Sequence, residues 1–268
     1  MLSTTLILLP FIGFIIGLLV STLGGGGGGL YVPILIFLGV TPQVAVATSL
    51  ATVLPTTAVG AYSHHRMGNV DVYTGLVLGI GGIIGTLMGA YLANMIPSTI
   101  LKEALGVLLI ITTIPMIRRI LKERKTANKE TKKQGNKKID DKKTVTLTGA
   151  KRLVASFFGV AGGILAGIFG ISGTPPVQAG LYSLGLPAMM VIGTTIFVLV
   201  FNSIAGIGGY LLLGRFDLTL TLFLASGTVV GAFLGPKLLG KIDQATLERV
   251  IPPILVFISL TFGLTLIL

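Results

Sequence analysis

Apolar residues run along this chain in long blocks, without the alternation of a half-buried strand or the polar face of a surface helix. No Lys, Arg, Asp or Glu precedes Arg66, and none falls between Leu153 and Gly214. Blocks of that length with no charged face are read as helices embedded in lipid. Ten are recognised: 6–23, 30–40, 43–62, 73–95 and 99–117, then 150–169, 175–186, 188–213, 218–240 and 247–267. The first is apolar enough to pass for the core of a signal peptide. It lacks a basic leader and a small-x-small cleavage site, so it is read as a retained helix.

The second five blocks repeat the first five. Displaced by 146 residues, Gly17 falls on Gly163, Gly24 on Gly170, Gly27 on Gly173, Gly39 on Gly185, Thr48 on Thr194 and Gly60 on Gly206. The register continues without a gap through Gly68 and Gly214, Asp71 and Asp217, and the triplets Gly81, Gly85, Gly89 and Gly227, Gly231, Gly235. An unbroken register across glycines is the signature of a duplicated unit. The expected domains are a first repeat over 1–117, a linker over 118–149 and a second repeat over 150–268.

The second block of each copy is too short to span. Eleven or twelve helical residues rise only about 16–18 Å, against about 30 Å of hydrocarbon. Each follows a break: Gly24 to Gly29 in the first copy, Gly170-Ile171-Ser172-Gly173-Thr174-Pro175-Pro176 in the second. Glycine entropy and the missing N–H of proline disfavour a continuing helix there. The expected fold is therefore an all-α polytopic membrane protein of two repeats, each a broken or re-entrant glycine-rich helix pair plus three spans. Three spans per copy would invert the second copy relative to the first. Fusing each broken pair into one span would make the copies parallel.

Charge bears on that choice. The net charge of +11 arises almost wholly from residues 118–152, so the protein's basicity describes one loop rather than a surface. With that loop in the cytoplasm, inverted copies place Arg66, Lys237, Lys241 and Arg249 inside and Lys102 and Arg215 outside, which the positive-inside rule favours; parallel copies reverse the count. The linker has no interleaved aromatics and lies between spans, so nucleic acid is not an expected partner. The chain has no Cys, which excludes thiol chemistry, and its two histidines, His64 and His65, are too few for a metal cage. No cofactor is expected.

Two glycine-rich breaks at equivalent depth are the candidate site, because irregular backbone inside a membrane is tolerated only where protein covers it or it lines a cavity. Free amides at a glycine turn and at the following helix N-terminus suit an anion. The candidate binding residues are Gly24, Gly25, Gly26, Gly27, Gly28 and Gly29 in the first break and Gly170, Ser172, Gly173 and Thr174 in the second. To these are added the polar residues of the third blocks, Thr48, Ser49, Thr52, Thr194, Thr195 and Asn202, which can donate to an oxyanion without bringing charge into lipid. Interhelical bonding or bonding to the preceding helical turn is the competing use of these hydroxyls. The glycine triplets have small-xxx-small spacing and are read as packing surfaces. Asp71 and Asp217 are read as helix caps after turns, and no carboxylate relay lies within a span.

The sequence resembles the sulfite exporter TauE/SafE family, also called the 4-toluene sulfonate uptake permease group. The resemblance is carried by Gly24 to Gly29 with Pro33, by Gly39-Val40-Thr41-Pro42, by Ala47-Thr48-Ser49-Leu50, by Gly60 through Gly68 to Val70-Asp71, and by the Gly81/Gly85/Gly89 helix with Ala90. In the second half its counterpart is Gly167-Ile168-Phe169-Gly170 and the break that follows. The resemblance implies a duplicated transporter of the prokaryotic plasma membrane that moves sulfite, sulfoacetate or another small sulfur-containing or carboxylate anion. Ile171, Ser172 and Thr174 depart from the usual glycine run and imply unequal half-sites.

Together these readings lead to a non-enzymatic secondary transporter that binds a small anion between the two breaks. An anion channel on the same repeats, or a carrier for a different carboxylate or oxyanion, is the alternative. The bilayer is an obligate partner; proton coupling and homo-oligomerisation are left open.

Overall fold

The computed structural model describes residues 2–23, 28–127, 149–171, 173–239 and 244–268. Their regular structure is helical: α1 Leu2–Leu23, α2 Gly28–Phe37, α3 Pro42–Arg66, α4 Val72–Met95, α5 Ser98–Ala127, α6 Gly149–Phe169, α7 Thr174–Ser183, α8 Ala188–Leu212, α9 Leu218–Leu239 and α10 Gln244–Ile267. Three of them, α3, α4 and α8, are long and apolar enough to cross a membrane, and α1, α6, α9 and α10 carry shorter apolar segments. Helix α5 runs to Ala127, past the expected start of the linker at 118. Its Lys, Arg and Glu residues are good helix formers, and no Gly or Pro interrupts them before Gly135.

Helix boundaries follow the 146-residue displacement. Helices α2 and α7, and α3 and α8, start and end in register; α4 and α9, and α5 and α10, start in register; α1 and α6 end in register. The stops match too. Gly39 and Gly185 both close a turn at φ 86°, and Gly68 and Gly214 do so at 73° and 64°. Asp71 caps α4 by accepting from the Thr74 amide at 3.1 Å, and Asp217 accepts from the Leu220 amide at 3.0 Å ahead of α9, the expected role for both.

The two copies interlock. Helix α1 packs on α9, and α6 packs on α4, each a first helix of one copy against a fourth helix of the other. Glycines make this possible: a methyl added at Gly85 would strike the Val160 carbonyl, at Gly163 the Gly82 carbonyl, and at Gly231 the Phe14 carbonyl. Lipid supplies no hydrophobic drive for helix pairing, so such close backbone approach supplies the attraction. Gly81, Gly85, Gly89, Gly227 and Gly231 are thus packing residues, as their spacing predicts.

The same contacts give helix direction. Leu50 lies against Gly206, Gly60 against Ile196 and His64 against Gly193, so α3 and α8 run antiparallel. Gly106 meets Gly263 and Ile267 while Gly263 meets Ile110, so α5 and α10 are also antiparallel. Gly75, Gly79 and Gly82 lie against Phe197, Phe201 and Asn202, so α4 runs parallel to α8 and opposite to α3. Two pairs of counterpart helices, α3 with α8 and α5 with α10, therefore point in opposite directions.

The surface exposes many large apolar side chains, and the interior sets buried polar residues within an apolar core. Thr48, Ser49, Thr52, Thr194, Thr195 and Asn202 are buried, whereas Phe11, Phe157, Leu222 and Phe233 are exposed. A lipid solvent reverses which side chains belong outside.

Candidate functional site

The second break is a fold-back and not a bent span. Val177 at the start of α7 touches Gly162 of α6, and Gly180 further along reaches back to Phe158. Helix α7 therefore retraces α6 in the opposite sense, as a re-entrant hairpin. Gly170 at φ 67° and Gly173 at φ 69° make the reversal, in a conformation that side chains with a Cβ rarely adopt.

The tip of this hairpin leaves helical carbonyls that lipid cannot satisfy. The Gly170 amide donates to the Ala166 carbonyl at 2.8 Å. The Tyr210 hydroxyl, fully buried on α8, donates to the Gly167 carbonyl at 2.7 Å. The Ser49 hydroxyl of α3 donates to the Gly170 carbonyl at 3.1 Å. Side chains from both copies thus hold the end of α6 in place.

The two breaks meet. A Cβ built on Gly29, in the first turn of α2, would lie 4.0 Å from the Ile171 side chain. One built on Gly170 would press on Val32 of α2 at 2.7 Å and on the Val46 backbone of α3 at 3.2 Å. The start of α2, the tip of the second hairpin and the first half of α3 thus surround one interior point, with Ser49 at its edge.

The two breaks differ in what they offer an anion. The first turn of α2 begins Gly28-Gly29-Leu30, and each of these residues carries an amide hydrogen. The first turn of α7 is Thr174-Pro175-Pro176; Thr174 alone has an N–H, and the Val177 amide reaches back to the Gly173 carbonyl. The helix start of the second break therefore offers fewer amide hydrogens than that of the first, because proline has no hydrogen to give.

The remaining candidates divide into separate groups. Thr52 donates to the Thr48 carbonyl at 2.8 Å, the bland use of a helical hydroxyl, while the Thr48 hydroxyl is buried with no partner. Thr194 accepts from the Asp71 amide at 2.9 Å and ties α8 to the turn before α4. The Thr195 hydroxyl is buried with no partner, and Asn202 lies against Gly82. Along α3, Ser49 and the contact that brings in Ile196 are eleven residues apart, about 16 Å of helix. Ser49 and Thr195 consequently sit at opposite ends of the α3–α8 crossing and do not line a single pocket. Gly24, Gly25, Gly26, Gly27 and Ser172 lie outside the described residues. Thr174 opens α7 and is half-buried.

Two polar residues with defined roles carry no motif. Tyr210 is one, and its only sequence cue is a phenol deep in an apolar run. Gln43 is the other: buried at the start of α3, it donates to the Ile96 carbonyl at 3.2 Å and accepts from the Ser98 hydroxyl at 3.1 Å, which fastens α3 to the α4–α5 turn.

Lipid-length helices, apolar on the outside with hydroxyls inside and a hairpin ending in the interior, define a polytopic helical membrane protein. The chain belongs to the sulfite exporter TauE/SafE family, whose model matches residues 9–262. Among its relatives is the probable membrane transporter protein YdhB of Bacillus subtilis, 32% identical over 91% of this chain and 94% of that protein. The probable membrane transporter protein YunE of the same organism is 26% identical over 94% and 95%, and MJ0441 of Methanocaldococcus jannaschii, also a probable membrane transporter protein, is 28% identical over 93% of each. No solved structure matches the chain significantly. Family and relatives make it a membrane transporter.

Proposed function

We propose that the protein is a secondary transporter of a small anion, sulfite or an organosulfonate such as sulfoacetate, that works by alternating access between two inverted repeats. The observation that carries the reading is the approach of Gly29, in the first turn of α2, to Ile171 inside the bundle, beside α3 and the second hairpin. Backbone amides favour negative charge without the cost of a buried cation, and the first turn of a helix adds its dipole. Gly28 and Gly29, with the preceding Gly24 to Gly27, let an anion approach the main chain. The Thr48 hydroxyl lies at one end of the crossing and the Thr195 hydroxyl at the other, both without a partner, with Asn202 between them, so a substrate would exchange one end for the other as the repeats rock.

The antiparallel course of counterpart helices supports inverted repeats over 1–117 and 150–268. With the basic stretch between them in the cytoplasm, Arg66 faces inward and Lys102 and Arg215 outward, in a plasma-membrane protein of a prokaryote.

Flux of radiolabelled sulfite into proteoliposomes, competed by sulfate, sulfoacetate and acetate, tests this. Saturable, competable uptake that is accelerated by unlabelled substrate on the far side identifies a carrier. Competable uptake without that acceleration identifies a channel, and flux equal to that of empty liposomes with folded protein removes these anions as substrates.

A further inference from the structure

We infer that His64 is the residue at which the transport cycle binds a proton, an inference that rests on the transport reading above. The 146-residue displacement places His64 on Tyr210. In the second copy that position holds a phenol, which caps Gly167 and does not titrate near neutral pH. In the first copy it holds the one common side chain that does. The Nδ1 of His64 is buried and has no hydrogen-bond partner, and among the described residues no carboxylate is buried.

His64 also occupies a seam that has to move if the repeats rock. A methyl added at Gly193 of α8 would lie 3.1 Å from the His64 Cβ and would strike the Asn69 carbonyl. The next residue of α8, Thr194, accepts from the Asp71 amide, and the Asn69 amide bonds the His64 carbonyl at 2.9 Å. The turn after α3 is thus clamped onto the start of the other copy's α8, with His64 beside the clamp and its Nδ1 buried.

The charged neighbours leave His64 to itself. On α3 itself stand His65 and Arg66, the latter 5.8 Å above the Tyr62 ring. In the turn, the Asp71 carboxylate is taken by the Thr74 amide and hydroxyl, the latter at 2.9 Å. Helix α8 presents the neutral Gly193 and Thr194; α9 brings Lys237 to this end of the bundle, and its side chain lies outside the described residues.

Protonation makes both ring nitrogens donors. A buried N–H⁺ without an acceptor favours whichever arrangement parts the seam and admits water, and the neutral ring favours the closed one. That difference in proton affinity between two arrangements is what coupling requires.

The test compares native protein with H64Q, H64Y and H65Q in proteoliposomes, with counterflow and gradient-driven accumulation measured on each. Substrate speciation is common to all four and cancels. The expected result is that H64Q and H64Y keep counterflow but lose the accumulation that an imposed pH gradient drives, while H65Q retains both. Tyr is the residue the second copy uses here, so H64Y reports on fit without titration. Gradient-driven accumulation that survives in H64Q or H64Y, or native flux indifferent to the gradient, overturns the assignment to His64 and leaves the transport reading standing. Counterflow lost from both variants as folded proteins also overturns it, in favour of a packing role. Native protein with no saturable flux defeats the transport reading instead.

Discussion

The two glycine-rich breaks stand at equivalent positions 146 residues apart, yet they are built from different residues. The second is fastened: Ser49 and Tyr210 take its stranded carbonyls, Gly170 is wedged between Val32 and Val46, and two prolines open its return helix. The first has glycine at all six positions from Gly24 to Gly29, and the helix that follows, α2, starts with three residues that carry amide hydrogens. Proline stiffens a turn and removes donors, whereas glycine leaves donors and removes side chains. The second break is thus held in position by side chains of both copies, and the first is the one on which the proposed anion site rests.

That contrast breaks first at its glycines. Gly173→Val is expected to unfold the second hairpin: the residue sits at φ 69° and an added methyl would strike the Gly162 carbonyl. A loss of about 3 kcal/mol or more is expected from overpacking on top of backbone strain, read as a fall in melting temperature in detergent. Gly29→Val meets only Ile171 at van der Waals distance, so it is expected to abolish sulfite flux with a stability change of about 1 kcal/mol or less. Flux that persists in a folded Gly29→Val protein removes the first break as the binding element.

The hydroxyls sharpen the comparison at smaller scale. Tyr210→Phe and Ser49→Ala each strand a carbonyl and are expected to cost about 1–3 kcal/mol, as thermal unfolding would show. Thr195→Ala, at the position equivalent to Ser49, deletes a hydroxyl that bonds nothing and is expected to leave stability within about 0.5 kcal/mol. Its effect is expected on flux instead. Smallest of all, Pro176→Ala restores an amide to the second hairpin, where the added chain freedom is expected to cost about 0.4–1 kcal/mol and leave sulfite affinity unchanged. A clear gain in affinity would show that the second hairpin also faces the anion.

Much of the architecture was legible in the sequence. Charge-free blocks mark the helices, and Gly39, Gly68, Gly185 and Gly214 mark where they stop, because a left-handed residue after a helix is a local requirement. The spacing of Gly81, Gly85 and Gly89 marks a packing surface for the same local reason. Other features depend on contacts distant in sequence. That α7 retraces α6 follows from Gly162 meeting Val177, which no local pattern encodes. Thr194 looks as much like a ligand as Thr195 does, and only the approach of the Asp71 amide separates them. Gly173 reads from the sequence as an open cradle, but the Gly162 carbonyl occupies the space a side chain would take.

The exchange of partners between copies, α1 with α9 and α4 with α6, has a consequence for how such a chain is assembled. The glycine faces of α1, α4, α6 and α9 are each covered by a helix of the other half. Under the proposed inversion, a half-length polypeptide could form these pairs only with a second molecule inserted upside down, and would need both orientations in equal numbers. Carrying the two halves on one strand sets that ratio at one to one in every molecule. It also means that the first half, on leaving the ribosome, waits with its grooves unfilled until the second half has threaded the membrane.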